Sequence, residues 1–151
     1  NQESLKKVKF NNKIIHRSKL LRYFIDEKYN NNNLNKDLET VYKKIKKDKK
    51  YFFSIKDMIL LESLKSDGFQ IPKKYENIYQ PTKAEIPYDI QILINKEEKG
   101  LALLRLVEII GEDKIIDMDS ETLFFITTIL NELNIDKLRN NILLKVLPLK
   151  V

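Results

Sequence analysis

Apolar residues recur along most of this chain at the spacing of α-helices. Ile14, Ile15, Leu21, Phe24 and Ile25 lie close to a 3.6-residue period, which predicts an amphipathic helix over Lys13 to Tyr29. The asparagine run Asn30 to Asn33 is expected to end it as a loop, since asparagine tolerates left-handed turns and its amide competes for backbone hydrogen bonds. Leu34, Leu38, Val41, Tyr42 and Ile45 then form the stripe of a second helix. Asp37 and Glu39 near its start and Lys43, Lys44, Lys46 and Lys47 near its end match the helix dipole. The third helix is the most sharply punctuated. Ser54 stands in the N-cap position and Asp57 in the reciprocal position of a capping box, and Asp67-Gly68 closes the helix with a residue suited to the left-handed C′ conformation.

Phe69 to Ile86 carries Pro72 and Pro81 and lacks helical periodicity until its end. It also carries Phe69, Ile71, Tyr75, Ile78 and Tyr79, too many apolar groups for a solvated linker. An ordered connection packed along the helices is expected, with a short helix around Lys74 to Tyr79. Beyond it, Pro87 suits the first turn of a fourth helix, and Lys96 to Ile110 makes a fifth that is apolar on most sides and therefore expected to be central. Asp119 or Ser120 is expected to cap a sixth helix and Asp136 a seventh, which Pro148 stops. The stretch Leu101 to Val151 has the densest apolar content and is expected to form the core.

The fold class that follows is all-α, with about seven helices arranged as stacked antiparallel hairpins. An α-solenoid-like stack and an irregular bundle both stay open. A basic helical region, residues 1–80, and a helical-hairpin region, residues 81–151, are read as one continuous domain. With 3 glycines and 4 prolines the chain is short of the turn signals a β-sandwich or barrel needs. Residues 1–12 show no sustained period and are read as a mobile or partner-dependent lead-in.

Charge divides the chain. Residues 1–80 hold 19 Lys and Arg against 10 Asp and Glu, whereas residues 81–151 hold 9 against 12. The first half suits an anionic partner and the second a packing role. The run Lys43 to Lys50, with six lysines and one aspartate, is flanked by Tyr42 and by Tyr51-Phe52-Phe53. Lysines neutralise phosphates and aromatic rings stack on unpaired bases. A solvated helix end followed by aromatics entering the core has the same sequence, so both readings stand. The candidate residues for an anionic partner are Arg17, Arg22, Lys43, Lys44, Lys46, Lys47, Lys49 and Lys50.

Other chemistry is weakly signalled. The single histidine, His16, lacks a partner assignable from sequence and is read as an ordinary surface or helix-face residue. Asp117 to Glu121 resembles the opening of a calcium loop but has Thr122 where glycine is required and Thr128 where a bidentate glutamate is required, so helix capping is the better reading. Glu97-Glu98 and Glu112-Asp113 are adjacent residues near helix ends, poorly placed to converge on a substrate. Cysteine is absent, which removes disulfides and thiolate chemistry. No apolar run approaches the roughly 18 residues of a membrane helix. The expectation is a non-enzymatic, cytoplasmic protein without cofactor that binds a protein partner, with nucleic acid as the alternative. The chain begins at Asn1, which leaves room for a removed targeting segment.

Leu103 to Asp113 (LLRLVEIIGED) and Asp119 to Pro148 (DSETLFFITTILNELNIDKLRNNILLKVLP) set a helix ending in Gly-Glu-Asp before a loop, a long helix, a short turn and a final helix. On these residues the segment Pro87 to Val151 resembles the end of helical-repeat proteins that occur in bacterial genomes of the alphaproteobacterial type. The resemblance implies a stacked-helix scaffold and supplies no catalytic residues.

Overall fold

The computed structural model describes residues 9–25, 31–111 and 114–149. Among them the chain is all-helical. Six α-helices follow in order: α1 (Asn31–Lys46), α2 (Ile55–Ser66), α3 (Tyr88–Asn95), α4 (Lys99–Ile110), α5 (Ser120–Glu132) and α6 (Asp136–Val146). Four short 3-10 segments lie between and before them, at Ile15–Arg17, Lys19–Phe24, Lys73–Asn77 and Ile115–Asp117. No helix among the described residues is long and apolar enough to cross a membrane.

The first expected α-helix is replaced by two 3-10 segments separated at Ser18, which is extended. Its hydroxyl donates to the Ile15 carbonyl at 2.7 Å and accepts from the Leu20 N–H at 3.2 Å, stopping one segment and capping the next. Ile15, Ser18, Leu21 and Phe24 are all buried, and a spacing of three is the period of a 3-10 helix rather than an α-helix. Asp26 to Tyr29 of the expected helix lie outside the described residues, as do residues 1–8 of the lead-in. The asparagine run also differs from expectation, because α1 begins at Asn31 instead of after a loop. The first turn of a helix has N–H groups without intrahelical partners, and asparagine is at home there.

α2 is the centre of the molecule. Asp57 to Leu61 are consecutively buried, with Ser63 and Leu64, so the helix is enclosed on nearly all sides. It packs against α5 and against the Ile15–Arg17 segment, while α6 lies against α5 and reaches the Lys19–Phe24 segment. Both of its ends are built as the sequence predicts. Ser54 Oγ accepts from the Asp57 N–H at 3.2 Å while Asp57 Oδ2 accepts from the Ser54 N–H at 3.1 Å. At the other end Gly68, at φ 89, donates to the Lys65 carbonyl and Phe69 donates to the Leu64 carbonyl, closing the last turn.

The connection after α2 is ordered. Tyr75 is fully buried and its hydroxyl donates to the Leu38 carbonyl of α1 at 2.5 Å, and Tyr79 stacks on Phe53 with ring centroids 4.3 Å apart. Two expectations are corrected further on. Asp136 is the first residue of α6, after an N-cap at Ile135 that has no side-chain bond; Asp119 does cap α5, accepting from the Thr122 N–H at 2.7 Å. α4, expected to be central, is peripheral. It pairs chiefly with α3, buries Ala102 and Leu106, and leaves Leu101, Leu104, Val107 and Ile109 exposed. The centre belongs to α2 because its polar residues Lys56, Glu62 and Lys65 are each partly covered and the rest of the helix is largely buried, whereas Arg105 and Glu108 on α4 are exposed.

The α3–α4 turn closes with the same two hydrogen bonds as the end of α2, Glu97 N–H to the Ile94 carbonyl and Glu98 N–H to the Leu93 carbonyl, but Glu97 occupies the left-handed position at φ 58. A side chain there costs about 1 kcal/mol that glycine avoids. Glu97→Gly is therefore expected to raise stability by about 0.5–1 kcal/mol, and Gly68→Ala to lower it by about 1 kcal/mol. Urea denaturation midpoints of the two variants against the parent chain check both signs.

Candidate interaction surfaces

The carboxylate of Asp57 is buried and gathers hydrogen bonds from three other residues. Oδ1 accepts from the His16 backbone N–H at 2.9 Å and lies 2.6 Å from His16 Nδ1, while Oδ2 accepts from the Tyr51 hydroxyl at 2.5 Å and from the Ser54 N–H. His16 is thus buried, not on a surface or helix face as expected. Burial alone would raise the Asp57 carboxyl above its ordinary value near 3.8, but the bonds from His16 and Tyr51 outweigh it and hold the carboxyl below that value. Burial and the neighbouring Asp57 charge push the Tyr51 hydroxyl far up, so it stays a donor.

Ser54, His16 and Asp57 have the composition of a hydrolytic triad without its geometry. A triad needs the serine on one imidazole nitrogen and the carboxylate on the other. Here Ser54 Oγ, at 3.4 Å, and Asp57 both face Nδ1, and the buried Nε2 has no hydrogen-bond partner among the described residues. The hydroxyl is engaged in capping α2. This cluster joins chain segments; it is not arranged to activate a nucleophile.

A second polar cluster, built on a buried arginine, holds the opposite end of α2. Arg139 of α6 is completely buried, and its Nη2 donates to both Asp67 oxygens at 2.8 Å. Nη1 donates to Asn131 of α5 at 2.9 Å, and the guanidinium lies over the Phe24 ring at 5.6 Å. Burial pushes the Asp67 carboxyl up and the Arg139 bonds pull it down, with burial prevailing. Such a pair contributes position more than net stability.

The basic residues singled out from the sequence separate into two groups. Arg17 is half-buried, and Arg22 is exposed with its guanidinium 5.0 Å from the Phe10 ring centroid. Lys43, Lys44, Lys46, Lys47, Lys49 and Lys50 are all exposed, on the side of α1 opposite the buried Val41 and Ile45 and in the turn that follows. Lys13 joins them from the segment before Ile15. Together with Lys44, Lys47 and Asp48 it lines an open cleft of about 370 Å³. The flanking aromatics divide as well: Tyr51 and Phe53 turn inward, and Phe52 is left 82% exposed.

The third feature is apolar. On α4, Leu101, Leu104 and Val107 are 53%, 62% and 61% exposed and fall on one side of the helix. A shallow groove of about 410 Å³ beside them is lined by Ile109 and Ile110 of α4 and by Glu121, Thr122 and Phe125 of α5. The charges near this face are paired with one another, Arg105 to Asp89 at 2.6 Å and to Glu108 at 3.1 Å. Glu97 and Glu98 serve the turn between α3 and α4, and Glu112-Asp113 lie outside the described residues.

Comparison with known proteins gives no match to this chain from family models, curated proteins or solved structures.

The Asp57 cluster has a pH signature. Because the folded-state value is depressed, its contribution to stability is fully present above the unfolded value near 3.8 and is lost as pH falls through the folded value. Asp57→Asn is expected to lower stability at neutral pH by about 2–4 kcal/mol, since it leaves buried donors without a charged acceptor. It is also expected to flatten the acid limb of the stability profile below about pH 4. Urea unfolding of both chains from pH 7 down to pH 2 measures the two effects together.

Proposed function

We propose that this chain is a cytoplasmic, non-enzymatic helical interaction module that receives an apolar helix of a protein partner against α4. The observation that carries this reading is the exposure of Leu101, Leu104 and Val107 on one side of a helix whose other side is already buried. Monomeric proteins seldom leave contiguous apolar surface uncovered, and where they do it marks a site of association. In a stacked-helix scaffold, the face of a hairpin that its own chain leaves open is where another helix packs.

The chemistry of the surface suits a helix. Apolar anchors at i, i+3 and i+6 match the ridge that a partner helix lays into a groove, and the groove beside Ile109 and Phe125 extends the contact toward α5. Arg105 and Glu108 share the exposed side of α4 with these apolar residues, and their ion pairs, in water, contribute little to stability. They are available to be rearranged at an interface without a large loss.

Leu104→Glu with Val107→Glu tests the reading. The double variant is expected to keep the helical content and melting temperature of the parent chain, because neither residue is buried in it. It is also expected to lose a partner that the parent chain retains in stoichiometric amount from native extract. Retention of that partner by the variant, or the lack of one on the parent chain, contradicts the proposal. Sedimentation of the purified chain shows whether a second copy takes the partner's place.

A further inference from the structure

We propose that the cleft formed by Lys13, Lys44 and Lys47, with the Phe52 ring beyond it, is a binding surface for single-stranded nucleic acid. The surface is separate from the apolar face of α4 and does not depend on that reading.

Five cations are neutralised by carboxylates of the chain itself: Lys19 by Asp37 at 3.0 Å, Lys65 by Glu62 at 3.2 Å, Lys74 by Glu39, Arg105 by Asp89 and Arg139 by Asp67. None of Lys13, Lys43, Lys44, Lys47, Lys49 and Lys50 has a carboxylate within ion-pair distance among the described residues. The one acid in the cleft, Asp48, is occupied in its own turn, where its carboxylate accepts the Lys50 N–H at 3.1 Å. Lys13, Lys44 and Lys47 thus converge on one cleft without an internal counter-charge. Lys13 is held there by its segment, since Asn11 accepts the Lys13 N–H at 3.0 Å and donates its own N–H to the Arg17 carbonyl at 2.9 Å.

Phe52 adds an exposed ring to the lysines. Its neighbours are anchored, Tyr51 by the hydrogen bond to Asp57 and Phe53 by stacking on Tyr79, and in an extended segment alternate side chains point to opposite sides. Phe52 is thereby held outward on a backbone fixed on both sides of it. A presented, pre-positioned ring is what a base needs for stacking, and each base stacked on an aromatic ring is sequence-tolerant. Phe52 stands five positions after Lys47, so their Cα atoms lie within about 17 Å of each other, a span that a few nucleotides cover.

These features together select among anionic polymers. A duplex satisfies lysines equally well but keeps its bases covered, leaving the ring without a partner. An anionic membrane calls for a broad apolar face beside the charges, such as an amphipathic helix provides, and here α1 turns its apolar side into the core and one ring stands outside. Phosphates for the lysines and an unpaired base for the ring describe a single strand.

Fluorescence anisotropy with labelled oligouridine and oligothymidine of about 20 nucleotides, long enough for one site, tests this on the full chain. Binding is expected to weaken linearly in log affinity against log salt, and the variant with Lys13→Gln, Lys44→Gln and Lys47→Gln is expected to reduce that slope by about 2. Replacing the same three by arginine should preserve it. Phe52→Ala is expected to weaken binding roughly 5- to 100-fold at unchanged slope, and a duplex of the same sequence should bind more weakly and ignore the Phe52 change. All changed residues are exposed, and a far-ultraviolet spectrum matching the parent confirms that each variant is folded. The proposal is overturned if the parent chain shows no salt-dependent binding to either oligonucleotide, or if the glutamine variant keeps its slope. It is equally overturned if Phe52→Ala has no effect, or if vesicles of phosphatidylserine and phosphatidylcholine are bound in place of the oligonucleotides.

Discussion

A carboxylate taken out of water must have its lone pairs satisfied, and at Asp57 that requirement organises the molecule. Its two oxygens gather the His16 backbone and ring, the Tyr51 hydroxyl and the Ser54 N–H. Three stretches of chain are fixed by that one group: the 3-10 segment at Ile15–Arg17, the extended segment before α2, and the first turn of α2 itself. Truncating any one donor leaves the charge buried with fewer partners, so the cluster is formed together or is costly. The other end of α2 is held by a comparable device, Arg139 against Asp67, with Asn131 and Phe24 completing its surroundings. α2 can be buried along most of its length because the polar groups at its two ends are each satisfied by groups from distant parts of the chain.

Both candidate surfaces hang from this frame. Phe52 points outward because Tyr51 is committed to Asp57 and Phe53 to Tyr79, and the Lys13 segment is placed by the fold that brings His16 to α2. The apolar side of α4 is open for the complementary reason. α2 and α5 already enclose each other, so the α3–α4 hairpin contributes Ile90, Ala102 and Leu106 to the core and leaves the rest outside. A polar clamp in the interior thus decides what is presented on two separate parts of the exterior, one cationic and one apolar.

Local punctuation was legible in the sequence and long-range partnership was not. Ser54 and Asp57 spell a capping box at fixed spacing, Gly68 spells the stop, and the stripe of α1 gives its buried face directly. The aromatic content of Phe69 to Ile86 correctly marked an ordered connection, because exposed rings are costly. His16 was illegible since its partner lies 41 residues away and nothing local announces it. The 3-10 segments were hidden by apolar residues that fit a period of three as well as 3.6 over so short a span. α4 misled for another reason: its apolar density was read as burial, and density alone does not distinguish a core helix from one that offers its face to another molecule. Of the cationic surface, the lysine run was visible in sequence, while its convergence with Lys13 on one cleft and the division of the three aromatics required the fold.

The central claim is that α2, clamped at one end by the buried Asp57 and at the other by the buried Arg139, is the most protected element, with α4 on the periphery. Native-state amide hydrogen exchange tests it directly. Amides of Ile59, Leu60 and Leu61 are expected to exchange only through global unfolding, with protection that tracks the denaturant dependence of the whole protein. Those of Leu104 to Val107 are expected to exchange through a smaller opening that leaves α2 and α5 intact. If α4 proved as protected as the global limit while α2 exchanged through a local opening, the account would be contradicted.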